Sequence, residues 1–525
     1  MFFYTLTGTE HMASDLLNQR TSGVLLHPTS LPGPHGCGDF GPNAFYFVDW
    51  LQTAGQSLWQ TLPLGPIGPG DSPYMGSSAF AGNPLLVAFE PLLEKGWIAA
   101  EALAAPFDAE KINFGQVVPW RLQKLREAFA GFQASATPED QAAFAAWLQA
   151  EQSWVADYTL FMALDQAHTP ALWPDWPKPL SRRDPAALAA ARVQYADEIG
   201  FWGFVQWQFD VQWKRLKGYA NGKNIHLVGD LPIFIAHHSS DCWSRPDLYE
   251  LDAAGHPLVI AGVPPDFFSA TGQRWGNPLY NWSAMKADGY SWWIERVKRQ
   301  LTLADVVRID HFRGFVGYWE IPASEPTAVK GRWMPGPDYD LFAAIEGALG
   351  KLPIIAEDLG VITDEVNALR HRAGFPGMRI LQFAFSDDAG NNFLPHNYAR
   401  DTVVYSGTHD NDTVVGWWAD CTDRERAYAG EYLHTNGSDV HWAMLRACAQ
   451  SVANHSLCQF QDVMGLDGKH RMNTPGTIGC WTWRFKWEWV TGEATEKLAH
   501  LTAASGRTRF DRLPLPAYPE GKNKP

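Results

Sequence analysis

The sequence predicts an α/β fold: a (β/α)8 TIM barrel carrying large, mainly helical insertions. Two observations lead there. Eight short β-branched or apolar runs are spread along the chain, and most close on polar residues. Amphipathic helical patterns lie between many of them. Strands buried on both faces read as continuous apolar runs, and alternation of strand with helix points to α/β layering. An open doubly wound sheet is the alternative; eight strands suit a closed barrel better.

The runs occupy residues 23–27 (GVLLH), 58–62 (LWQTL), 224–230 (NIHLVGD) and 305–310 (DVVRID) in the first part of the chain. Residues 353–357 (PIIAE), 378–383 (MRILQF), 402–406 (TVVYS) and 456–461 (SLCQFQ) complete the set. Residues 43–54 carry an apolar helical face that stops before Gly55, and helical patterns at 341–349 and 362–373 flank the run ending at Glu357. The interval between Leu62 and Asn224 is far longer than one crossover needs. Inside it, Thr137-Pro138-Glu139-Asp140 has the form of an N-cap followed by a first-turn proline and acids. A second helical stretch at 185–219 leads back to the barrel. The expected organisation is therefore one catalytic barrel over 20–525, with a helical insertion at about 90–220 and an active-site loop region at about 236–300. The loop region is rich in Pro, Gly, Trp and Asp, as functional loops are. Residues 1–19 are poorly patterned and are read as a flexible extension or a cloning remnant.

Composition narrows the function. The 525 residues carry a net charge of -15, which repels phosphate backbones and argues against a nucleic-acid partner. There are 25 Trp, and flat apolar rings with polar edges suit the C–H faces of sugars; a large aromatic core is the plainer explanation. The six cysteines show neither a C-x-x-C pair nor a disulfide framework, which suits a reducing cytoplasm. No apolar run approaches membrane-spanning length, and the first residues do not read as a secretory signal.

The chemistry is expected at the C-terminal ends of the strands. Asp230 closes one run, and Arg308 and Asp310 close the next, with His311 after them. Glu357 and Asp358 close another, and His409 and Asp410 follow Ser406-Gly407-Thr408. Strand alternation puts Arg308 and Asp310 on one side of the sheet, where a guanidinium favours the charged form of a carboxylate. Each acid also has a structural explanation: a buried salt bridge for Asp310, helix or turn capping for Glu357, Asp410 and Asp230. Their coincidence on four strand ends is what points to a site. There is no G-x-S-x-G elbow and no P-loop. His237-His238 near Asp241 and Cys242 is a weak ligand set, so neither a metal nor another cofactor is expected.

At these residues the chain resembles the 4-α-glucanotransferases of glycoside hydrolase family 77, over nearly its whole length from Arg20. The matching motifs, in order, are residues 22–33 (SGVLLHPTSLPG), 72–74 (SPY), 229–233 (GDLPI), 262–269 (GVPPDFFS) and 271–278 (TGQRWGNP). Residues 308–314 (RIDHFRG), 356–360 (AEDLG), 407–412 (GTHDND) and 472–477 (MNTPGT) follow. The resemblance implies Asp310 as nucleophile, Glu357 as general acid/base and Asp410 as the acid that holds the transferred sugar. It implies that Arg308 orients Asp310, and that His311, His409 and Asp230 line the same subsite. Ser72, Tyr74, Phe267, Phe268, Gln273, Trp275 and Asn473 would hold the glucan or the acceptor. The implied partners are an α-1,4-glucan donor and a glucose or maltooligosaccharide acceptor. His238, Cys242, Phe267 and Cys480 depart from the family pattern, and Phe267 lacks the hydroxyl of the usual Tyr. An amylase-type hydrolase and a non-catalytic glucan-binding barrel are the competing readings.

Overall fold

The computed structural model describes residues 16–265 and 269–508. It contains twelve strands: β1 (Thr21–Leu25), β2 (Leu58–Gln60), β3 (His226–Pro232), β4 (Val259–Val263), β5 (Gln273–Pro278), β6 (Val306–Asp310), β7 (Gly317–Pro322), β8 (Arg332–Pro335), β9 (Ile354–Ala356), β10 (Gly377–Ile380), β11 (Thr402–Tyr405) and β12 (His455–Gln459). Eight of them form one sheet in the order β10-β11-β12-β1-β2-β3-β6-β9, all neighbours parallel. The Ala356 amide donates to the Pro376 carbonyl at 3.0 Å, just ahead of β10, and brings the two edges together into a nearly closed (β/α)8 barrel. Each of the eight apolar runs is one of these strands. Two of the runs pass from strand into helix. Leu381–Phe383 turns into a 3-10 helix, and Phe460–Val463 begins a short helix.

Side-chain alternation sorts the strand residues into two environments. Leu58, Val228, Val306, Ile355, Met378, Val403, Tyr405 and Leu457 pack together as one cluster inside the barrel. Their neighbours Trp59 and Leu227 pack outward with Phe47, Phe209 and Trp213. Val307 and Ile309 pack outward with Trp293, Phe312 and Phe342. The period of two then carries Gln60, Asp230, Arg308 and Gln459 to the layer above the apolar plug. Burying these residues among backbone and one another is what makes the upper end of the barrel polar.

Between β2 and β3 lie the helices Phe114–Ser135, Pro138–Ala150, Gln152–His168, Pro185–Gln194 and Ala196–Gly222. Thr137 caps the second, its Oγ1 accepting from the Asp140 amide at 3.1 Å. Ala196–Gly222 is buried along much of its length by Phe201, Phe204, Phe209, Trp213 and Leu216, so it is covered on more than one side. The segment between β3 and β6 holds the helices Ser240–Ser244, Trp282–Ala287 and Ser291–Leu303 with β4 and β5. These two strands join β7 and β8 in a separate antiparallel sheet of order β5-β4-β7-β8. Among the described residues no helix is long and apolar enough to cross a membrane.

Candidate active site

Arg308 is the centre of the polar layer. It is buried, and its Nη1 donates to both carboxylate oxygens of Asp230, at 2.7 and 2.8 Å. Its Nη2 donates to Asp310 Oδ1 at 2.9 Å. β3 and β6 pair with Asp230 opposite Arg308 and Pro232 opposite Asp310, so the three groups meet across adjacent strands. The buried pair alone is weak evidence for function. What distinguishes it is that the same guanidinium reaches a second carboxylate that solvent still touches: the Asp310 side chain is 32% exposed, against 0% for Asp230.

Glu357 directly follows β9. Its amide donates to Ile309 O at 3.0 Å, which ties it to the strand bearing Asp310. The side chain accepts from two backbone amides, His311 at 2.7 Å and Leu359 at 2.9 Å. Both bonds favour the charged form, and so does Arg308. Burial, reinforced by the negative charge of Asp310, outweighs them and raises the carboxyl to about 8. His311, next to Asp310, has the left-handed backbone angle φ 54°, and burial lowers its imidazole to about 4. A non-glycine residue there signals strain of the kind that clusters at functional sites.

The third acid sits in the loop after β11. Asn411 Oδ1 accepts from the Thr408 amide and hydroxyl, both at 2.9 Å, and folds the loop so that His409 and Asp410 leave it together. Asn473 Nδ2 donates to Asp410 Oδ1 at 2.6 Å. Arg471 bonds the carbonyls of Asp410 and Asn473, so the two loops are locked to each other. Tyr74 ties the halves of the site together. Its phenol donates to Asp230 Oδ2 at 2.9 Å and accepts from His409 Nε2 at 2.8 Å. Burial and the Asp230 charge push this phenol well above its ordinary value, which keeps the donor proton in place. The ring stacks on His409 with centroids 5.3 Å apart, and Trp481 flanks both.

The other predicted residues divide. Ser72 Oγ accepts from the Tyr74 amide at 3.2 Å and shapes that turn. Trp275 on β5 meets His311 edge-on at 4.9 Å, and its indole N–H donates to Gln273 Oε1 at 3.0 Å. Phe267 and Phe268 lie outside the described residues. Arg471 and Trp481 were missed by sequence reasoning, although both adjoin the closing motif 472–477. A cation two residues before Asn473 was the available signal.

Buried charge, one carboxyl lifted into the neutral range and two accessible acids make a site suited to proton transfer and displacement at carbon. Comparison with known proteins identifies the family. A family model described as 4-alpha-glucanotransferase matches residues 26–491. A Thermus thermophilus 4-alpha-glucanotransferase is 48% identical over 497 residues, covering 93% of this chain and 99% of the relative. A Synechocystis sp. 4-alpha-glucanotransferase is 45% identical over 499 residues, covering 94% and 99%. The amylomaltase from Streptococcus agalactiae, solved in complex with acarbose, superposes with a TM-score of 0.91 at 38% identity, over 94% of this chain and all of that one. The chain belongs to the 4-alpha-glucanotransferase family, glycoside hydrolase family 77.

Proposed function

We propose that this enzyme moves α-1,4-glucan segments from a donor to the 4-hydroxyl of glucose or another maltooligosaccharide by two successive displacements with net retention. Asp310 is the nucleophile, oriented by Arg308. Glu357 begins protonated, donates to the leaving glycosidic oxygen, and returns as the base that activates the acceptor hydroxyl. Asp410, steadied by Asn473, holds hydroxyls of the transferred sugar. Asp230, His311, His409 and Tyr74 line the same subsite; Gln273, Trp275, Phe267 and Phe268 serve the rest of the glucan. Residues 20–525 act as one catalytic unit, and the six unpaired thiols suit a cytoplasmic setting.

The observation that carries this reading is the contrast between two neighbouring acids. Glu357 is buried and raised to about 8, whereas Asp310 is ion-paired and partly open to solvent. A buried, raised carboxyl beside an ion-paired acid that solvent reaches is the arrangement that acid/base and nucleophile roles need. Transfer and hydrolysis share the covalent intermediate, so the acceptor separates them. Incubation with maltotriose should give glucose together with oligomers longer than the substrate. A product set containing only shorter sugars would replace transfer with hydrolysis.

A further inference from the structure

The loop that carries Asp410 is unusual in how its two ends are fastened. Ser406, the residue after β11, donates its hydroxyl to Asp462 Oδ2 at 2.7 Å. Val414, the first residue of the helix Val414–Asp420, donates its amide to Asp462 Oδ1 at 2.7 Å. One carboxyl group thus closes the span 406–414 from beneath. The middle of the span is fixed separately. Gln382, after β10, and Gln459, at the end of β12, both donate to the Asp412 carbonyl, at 2.9 and 3.0 Å. The two amides converge so closely on Gly407 that a β-carbon there would lie 2.6–2.7 Å from their nitrogens. The strands on both sides of β11 therefore contribute to holding this one loop.

We propose that Asp462 is a positioning residue for the transfer reaction: with Gln382 and Gln459 it sets the place of Asp410 without touching the sugar. The inference rests on the role given to Asp410 above. Asp462 is wholly buried, and burial lifts its carboxyl to about 7 against the pull of both bonds. An acid at that depth destabilises the fold by desolvation. Packing alone does not call for one there. What the position requires is a planar group with two partners in fixed directions. A protonated carboxyl, a carboxylate and a carboxamide all meet that requirement. The Ser406 hydroxyl can donate or accept, while one oxygen always serves Val414.

The test compares Asp462→Asn, Asp462→Ala and Ser406→Ala with wild type, using maltotriose turnover, KM and thermal unfolding. Asp462→Asn keeps both contacts and should retain wild-type turnover. Asp462→Ala should lower kcat by about 10- to 100-fold, the scale expected when a catalytic group is misplaced by roughly 1 Å, with KM nearly unchanged. Ser406→Ala, which frees one end only, should fall in between, and it carries the same test if Asp462→Ala does not fold. Each change is repeated in an Asp410→Asn background. Groups that act through one another are non-additive, so the second substitution should cost nothing more there. Wild-type kcat in folded Asp462→Ala, or in Ser406→Ala where the former does not fold, overturns the proposal. So does an equal loss with and without Asp410. An Asp410→Asn enzyme of full activity would instead remove the role of Asp410 itself.

Discussion

The two ends of the barrel handle buried charge in opposite ways. At the N-terminal end, Arg507 is buried and donates to the carbonyls of Thr21, Cys448, Ala449, Ser451, Ala453 and Asn454. Arg20 reaches Ala449, Ser451, Ala453 and Ser505. These guanidiniums are spent on main-chain acceptors and tie the chain after the last described helix, Gly492–Ala504, to β1 and to the segment 448–454 that leads into β12. At the C-terminal end, Arg308 is shared between two carboxylates, and a third carboxyl nearby is held protonated by its surroundings. The lower end maximises satisfaction of polar groups. The upper end leaves charge imperfectly balanced and partly accessible, which is where binding energy for a transition state can be found.

That contrast can be broken most severely at the acids. Asp310→Ala, Glu357→Ala and Asp410→Ala should each lower maltotriose turnover by about 10²–10⁴-fold, the usual worth of a positioned acid or base, while the unfolding temperature stays at or above wild type. Near-normal turnover in Glu357→Ala would remove its assignment. Arg308→Ala should cost both activity and roughly 3–5 kcal/mol of stability, because Asp230 is left buried without its cation. Denaturant titration checks it, and a stable variant would mean that the pair is structurally dispensable.

At the lower end, Arg507→Ala should cost roughly 3 kcal/mol, within the range for a lost charged hydrogen bond plus orphaned carbonyls, while the folded fraction keeps wild-type kcat. Lysine should not restore it, since its point charge cannot match a planar fork. A kcat effect there would show that the ends are coupled. The smallest effect concerns pH. Glu357 has a folded-state value raised above the unfolded one, so its stabilising contribution is complete at acid pH and is lost as pH rises toward about 8. Glu357→Gln should therefore be more stable than wild type at pH 8, by upwards of about 1.4 kcal/mol, the worth of one pKa unit, and unfold at a higher temperature. The two should converge below pH 4. In the wild type, kcat/KM should fall on an alkaline limb near pH 8 as the acid form is lost.

The eight barrel strands were legible because each is a short apolar run with helical pattern around it, and burial on both faces leaves no other composition available. The same period of two foretold that Arg308 and Asp310 share a side, and they are 2.9 Å apart. The antiparallel sheet β5-β4-β7-β8 was not legible. Gln273–Pro278 contains Gly276 and Pro278, and such short, interrupted edges read as loop. Local pattern also carries no information about partners remote in sequence. Arg308 bridges strands 78 residues apart, Tyr74 reaches His409 across 335 residues, and Arg507 closes on Thr21 across 486.

By itself, then, the amino-acid sequence determined which runs become barrel strands and which acids stand at their ends, since both follow from side-chain period and solvation over a few residues. Only the tertiary structure decided that one guanidinium serves Asp230 and Asp310 and that burial raises Glu357. It also decided that Asp462 fastens the loop of Asp410. Those outcomes depend on dielectric surroundings and on distances between segments brought together by closing the barrel.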